Sequence, residues 1–153
     1  MSVLVAKQAP DFCEHAVLPD GTMKDDFRLS DLRGKYVVLF FWSLDYTFVC
    51  PTEILAHDHR IEEFKKRGVE VIGVSIDSHF THHAWRSTPV EKGGIGPIRF
   101  TMVADVKHQI AQAYGIEWGG DWHIPDLPHF QRPGWKPGGG PAHAWPPMIK
   151  DWP

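Results

Sequence analysis

Cysteine is nearly missing from this chain of 153 residues, with Cys13 and Cys50 making up the whole complement. Two cysteines are too few for a disulfide scaffold, and their spacing matches no zinc pattern. A strong charge of either sign is also lacking. Lys and Arg number 16 against 19 Asp and Glu, giving a formal net charge of −3. Neither nucleic acid nor an anionic membrane is implied as a partner by that balance. No apolar run approaches the roughly 20 residues that a membrane helix needs. The N-terminus, MSVLVAKQAPDF, has neither a basic region nor a long apolar stretch behind it, so no signal peptide is read. Internal repeats are absent. What remains is a single globular domain, and the cysteine usage suits a reducing cytoplasm with at least one working thiol.

The chain is organised around Lys35–Leu55, KYVVLFFWSLDYTFVCPTEIL. Tyr36–Trp42 is an apolar run that predicts a strand buried on both faces. A short polar bend follows, then Cys50, Pro51 and a helical pattern over Pro51–Arg67 that carries Ile54, Ile61 and Phe64, with Gly68 as its stop. A cysteine on the first turn of a helix is placed to become a thiolate, because free amides and the helix dipole favour the anion. Ahead of this stretch, Phe12–Val17 and Thr22–Phe27 flank Leu18-Pro19-Asp20-Gly21, which predicts a β-hairpin. Ser30 is a candidate cap for a single helical turn. Downstream, Val69–Ile76 is a second buried-type strand, and Ser78 caps a helix over His79–Arg86. Arg99–Val103 is a third strand, and Asp105 caps a helix over Val106–Tyr114. Strand, helix and strand at this length imply a parallel pair. The expected fold is therefore α/β and thioredoxin-like, with an N-terminal hairpin and a domain spanning residues 1–117.

From residue 118 the texture changes. Residues 118–153 hold five of the seven tryptophans, eight of the thirteen prolines and six glycines. No clean strand or helix period survives that density of breakers. We read this part as an arm that packs through its tryptophans, and not as an independent domain.

The residues around Cys50 narrow its chemistry. Thr47 sits three residues earlier, where a hydroxyl can reach the sulfur or an oxygen bound to it. Pro51 needs no amide donor in the first helical turn. Phe48 and Val49 can wall a pocket against bulky electrophiles. No C-x-x-C pair is present, so a dithiol exchanger is disfavoured. A lone activated thiolate meeting a small polar electrophile remains.

At these residues the chain resembles the peroxiredoxins, in their typical 2-Cys, bacterial alkyl-hydroperoxide-reductase-like subgroup. FFWSLDYTFVCPTEI is similar to that family's peroxidatic signature. The likeness continues through Ala9-Pro10-Asp11-Phe12, VIGVSIDS at 71–78, His83-Ala84-Trp85, Thr88-Pro89 and Ala104-Asp105, covering about residues 3–117. It implies a thiol peroxidase that reduces hydrogen peroxide and organic hydroperoxides, in antioxidant defence, with no cofactor. Cys50 would be the peroxidatic nucleophile, Thr47 would position peroxide and sulfur, and Glu53, Phe48, Pro51 and Ser43 would support the site. The implied partners are a thioredoxin-like or flavoprotein disulfide reductase and further copies of the chain, as a homodimer or a ring of dimers.

Three departures from the family pattern bear on this. Ser43 stands where the signature has a shielding proline. The segment carrying the family's active-site arginine is not found, which leaves Arg86 and Arg99 as candidates to replace it. No resolving cysteine is found either: Arg132-Pro133-Gly134-Trp135 is the nearest match to its surroundings. These gaps motivate an alternative reading as a poorly active peroxiredoxin-fold assembly, with a chaperone or redox-sensing role.

Simpler readings compete at each residue. Cys50 could be a buried structural cysteine, Thr47 a plain cap, and Glu53 a first-turn acid favoured by the dipole. Cys13 reads as a packed strand residue and not as a resolving thiol. His57, His59, His79, His82 and His83 read as surface or partly packed histidines and not as metal ligands.

Overall fold

The computed structural model describes residues 4–47, 50–118 and 130–131. Phe48, Val49 and nearly all of the 118–153 arm lie outside these. The hairpin forms as expected from β1 (Cys13–Val17) and β2 (Met23–Arg28), which run antiparallel. Its turn closes with the Gly21 amide donating to the Leu18 carbonyl at 2.9 Å. Of the Asp-Gly pair only the glycine takes a positive φ, +91°, the region in which a side chain is penalised. A 3₁₀ turn at Leu29–Leu32 leads out of the hairpin. Ser30 does not cap it. Instead, the Ser30 amide donates to the Asp11 carboxylate at 2.9 Å.

Next come β3 (Tyr36–Phe41), α1 (Cys50–His59), α2 (Ile61–Lys66) and β4 (Val69–Ser75). The helical stretch expected as one piece is two, broken at Arg60, whose ψ of 10° leaves the α region. Then follow α3 (His79–Ser87), β5 (Thr101–Ala104) and α4 (Gln109–Ala113). Ser78 caps α3 as expected, its hydroxyl accepting from the Thr81 amide at 3.2 Å. A final pair of two-residue strands, β6 (Glu117–Trp118) and β7 (Phe130–Gln131), lies in the region where no strand was expected.

The main sheet has the order β2-β1-β5-β4-β3, and β3 runs parallel to β4 in the register Leu39↔Ile72. Alternation along the strands divides the core. Val38, Phe40, Trp42, Val71 and Met102 face one side with Ile54, Ile61 and Trp85 from the helices. Val37, Leu39, Phe41, Ile72 and Val74 face the other with Ile110 and Tyr114. Gly73 is required on the first side, because a Cβ there would lie 2.5 Å from the Trp42 ring.

One expectation is corrected. β3 reads as a strand covered on both faces, yet among the described residues it is the outermost strand of this sheet, with Val37–Phe41 half-buried and Tyr36 79% exposed. Its composition reports apolar contact on both faces, which an edge strand also has. Only pairing decides whether a neighbour lies beyond it.

Asp105 shows how sequence and fold cooperate. Its carboxylate accepts the amides of Ile110 at 3.0 Å and Ala111 at 2.8 Å, so it does cap α4. The helix starts later than expected because His108 takes a left-handed φ of 58°. Burial pushes the Asp105 carboxyl above its ordinary range, against the smaller opposing pull of those amides. A raised carboxyl binds more protons folded than unfolded, so its contribution is fully present below the unfolded value and is lost as pH rises through the folded one. Thermal melts of wild type and Asp105→Asn between pH 4 and 7 should show any wild-type advantage greatest at the acid end and shrinking upward. A pH-independent gap would contradict the assignment.

Candidate active site

The carboxyl ends of β3, β4 and β5 meet on one edge of the sheet, where parallel α/β architectures place their sites. β3 delivers the chain to Trp42 and a tight loop, and Cys50 is the first residue of α1. That places the Cys50 backbone where amide donors lack intrahelical partners.

The loop is fastened at nearly every one of its described residues, 42–47. The Trp42 amide donates to the Val74 carbonyl at 3.0 Å, extending the ladder one step past β3. Ser43 is buried, and its carbonyl accepts the Ser75 hydroxyl at 3.2 Å. A backbone hold thus acts where the family signature relies on proline. Asp45 is the centre. Its carboxylate accepts the Trp42 indole N–H at 2.8 Å and lies 2.6 Å from His82 Nδ1. His82 Nε2 faces the Val103 carbonyl at 3.3 Å. Each ring nitrogen of His82 thus has an oxygen partner within hydrogen-bond range. The Asp45 and His82 side chains are both fully buried. Tyr46 then takes a φ of 56° and leans on Trp85, and the Thr47 hydroxyl donates to the Leu44 carbonyl at 3.0 Å.

Each residue singled out from the sequence can now be located. Thr47 precedes the helix and commits its proton to the loop, leaving its oxygen lone pairs as what it can offer outward. Pro51 is half-buried in the first turn and Glu53 is exposed. The Glu53 carbonyl accepts from His57 Nδ1 at 2.8 Å. Phe48 lies outside the described residues. Cys13 is exposed, not packed as expected, because it falls on an outward position of β1.

Both arginine candidates are engaged with other partners. Arg86 is buried and gives its guanidinium to the carbonyls of Leu18, Pro19 and Ile98, pinning the hairpin turn to α3. Arg99 grips Asp58, its backbone amide donating to the carboxylate at 2.7 Å and its guanidinium to the Asp58 carbonyl at 2.6 Å. Asp58 lies more than two turns along α1 from Cys50, about 12 Å at the usual rise per residue.

The histidines divide in a way that the sequence does not display. His57 stacks on Phe40 at 4.3 Å, and His79 stacks on His15 at 4.7 Å. His82 was read among surface or partly packed histidines, but it is the buried partner of Asp45. The period of α3 offered the one available signal, since His82 and Trp85 share a face at i and i+3. A cleft of about 550 Å³ lined by Arg33, Tyr36, Leu39 and Tyr114 opens at the amino end of β3, away from this site.

A profile described as the AhpC/TSA family matches residues 5–128. The chain belongs to this family. The match runs past residue 117, where the resemblance read from sequence stopped, and takes in Asp126-Leu127-Pro128. Among curated relatives, Peroxiredoxin-1 of Gallus gallus is 55% identical over 112 residues, covering 73% of this chain and 56% of that protein. Peroxiredoxin-2 of Mus musculus is 54% identical over the same shares. Among solved structures, a reduced Plasmodium vivax 2-Cys peroxiredoxin superposes with a TM-score of 0.71 at 43% identity. That superposition covers 74% of this chain and 58% of the other. The chain therefore spans a little over half the length of these relatives.

The Asp45–His82 pair carries a prediction. Removing one member of a buried pair strands the other's charge, at a cost of about 3–5 kcal/mol. Urea unfolding of His82→Ala should show a loss of that order. The double variant Asp45→Ala/His82→Ala should lose less than the sum of the two single variants. Strict additivity would mean that the two residues do not interact.

Proposed function

We propose that this protein is a thiol-dependent peroxidase that reduces hydrogen peroxide and organic hydroperoxides through Cys50. The observation that carries the proposal is the placement of that cysteine at the first residue of α1, behind a loop clamped to β4 and α3, in a chain of this family. The Cys50 thiolate attacks the terminal oxygen of the hydroperoxide. An S–O bond forms as the O–O bond breaks, the leaving oxygen takes a proton to depart as water or an alcohol, and the cysteine becomes a sulfenic acid. An external thiol then displaces water from the sulfenic acid to give a mixed disulfide, which a second thiol resolves.

In this reading Thr47 presents its oxygen toward the peroxide and the sulfur, and Phe48 and Pro51 limit access. Ser43 keeps the loop seated through its carbonyl, and Glu53 adds negative charge to the first turn, where the dipole favours it. Electrons come from a thioredoxin-like or flavoprotein disulfide reductase, and the protein works as a homodimer or a ring of dimers in the cytoplasm. Residues 1–117 form the peroxidase domain and 118–153 an arm that packs on this subunit or another. No helix among the described residues is long and apolar enough to cross a membrane.

Stopped-flow peroxide consumption should be lost in Cys50→Ser and retained in Cys13→Ser. Equal rates for Cys50→Ser and wild type would sink the proposal.

A further inference from the structure

The loop before Cys50 contains one residue that its own bonds do not explain. Tyr46 takes a φ of 56°, a region that an aromatic side chain disfavours, and such a conformation persists only where its surroundings over-determine it. Downstream, the Thr47 hydroxyl is held by the Leu44 carbonyl. Upstream, the Asp45 side chain is held by Trp42 and His82. The Asp45 backbone needs a separate hold, because a side chain fixed at its tip leaves φ and ψ free to adjust.

The end of β4 supplies it. The Asp45 amide donates to Asp77 Oδ2 at 2.6 Å. Asp77 is set in place by its own amide, which donates to Ser75 Oγ at 3.1 Å, and that hydroxyl in turn donates to the Ser43 carbonyl. Ser75 and Asp77 thus grip the loop at alternate residues, one through a carbonyl and one through an amide. We propose that Asp77 is a positioning residue for the Cys50 thiol, acting by placing a hydrogen-bond acceptor under the Asp45 amide. Its ionic charge is not what the role requires. The Asp77 and Asp45 carboxyl groups face each other here with His82 nearby, and burial pushes the Asp77 carboxyl above its ordinary range. An acceptor of the right reach suffices. Without one, a largely buried amide is left unpaired, and the loop moves to satisfy it.

This inference rests on the proposal above only in taking Cys50 as the working thiol, so its test does not use peroxide. Wild type, Asp77→Ala, Asp77→Asn and Asp77→Glu are alkylated with iodoacetamide, and Cys50 and Cys13 are quantified by peptide mass spectrometry. Cys13 is exposed and far along the chain, so it serves as an internal reference. The Asn side chain places an oxygen where the Asp77 carboxylate has one, so Asp77→Asn should keep the Cys50-to-Cys13 ratio within about twofold. Asp77→Glu keeps the charge but moves the acceptor by a methylene. Both Asp77→Glu and Asp77→Ala should lower the ratio on the order of tenfold, the scale set by one unsatisfied buried donor. A variant that unfolds declares itself by labelling both cysteines alike, and the Asn and Glu variants then carry the comparison.

An unchanged ratio in both Asp77→Ala and Asp77→Glu would overturn the inference. So would a fall in Asp77→Asn as deep as that in Asp77→Ala. A wild type that labels Cys50 fast but consumes no peroxide would defeat the peroxidase reading alone, leaving Asp77 in its role.

Discussion

The carboxylate of Asp45 is the point through which the site is tied to the fold. It binds the indole at the end of β3 and the imidazole on α3, and His82 reaches on to the end of β5. Three elements far apart in sequence therefore converge on one residue, five positions before Cys50. Burying such a pair costs solvation that its mutual attraction does little more than offset. Its value lies in specification: any other arrangement of the loop would leave a charge or an indole N–H unsatisfied in the core.

The remaining strong polar interactions serve the same end at greater distance. Arg86 ties the hairpin turn to α3 through three carbonyls, and the Arg99–Asp58 contact fixes the far part of α1 to the approach of β5. Both arginines are the right chemical type to support a thiolate, and both are consumed in holding the frame. Cys50 opens α1, where a helix start favours an anion, so the seating of that first turn matters. Ser43 belongs to the same economy of parts. Proline would restrict this backbone covalently, whereas here the Ser75 hydroxyl holds the Ser43 carbonyl.

Much of the fold was legible because local rules and tertiary packing agree. Gly21 forms the turn that its lack of a side chain allows, Ser78 caps α3, and the apolar runs of β3 and β4 pair in parallel around Gly73. The failures occur where a neighbour decides. Arg60 interrupts a helical pattern that hydrophobic spacing carries straight through, and His108 delays α4 by adopting a conformation that propensity does not anticipate. Cys13 and His82 were both misplaced for one reason: exposure depends on what lies across from a residue, and a single sequence does not contain that.

The sequence by itself determined the placement of Cys50 at a helix start, the order of strands and helices, and the family to which these belong. Those properties are local, written in turn chemistry, hydrophobic period and a short contiguous motif. Tertiary structure alone decided that β3 is the outermost strand among the described residues, that His82 is buried against Asp45, and that Arg86 and Arg99 bind carbonyls and Asp58. It also decided that Asp77 lies under the loop before Cys50. Each of these is a pairing across tens of residues. Hydrogen bonds and burial depend on distance in space, and distance along the chain carries almost no information about it.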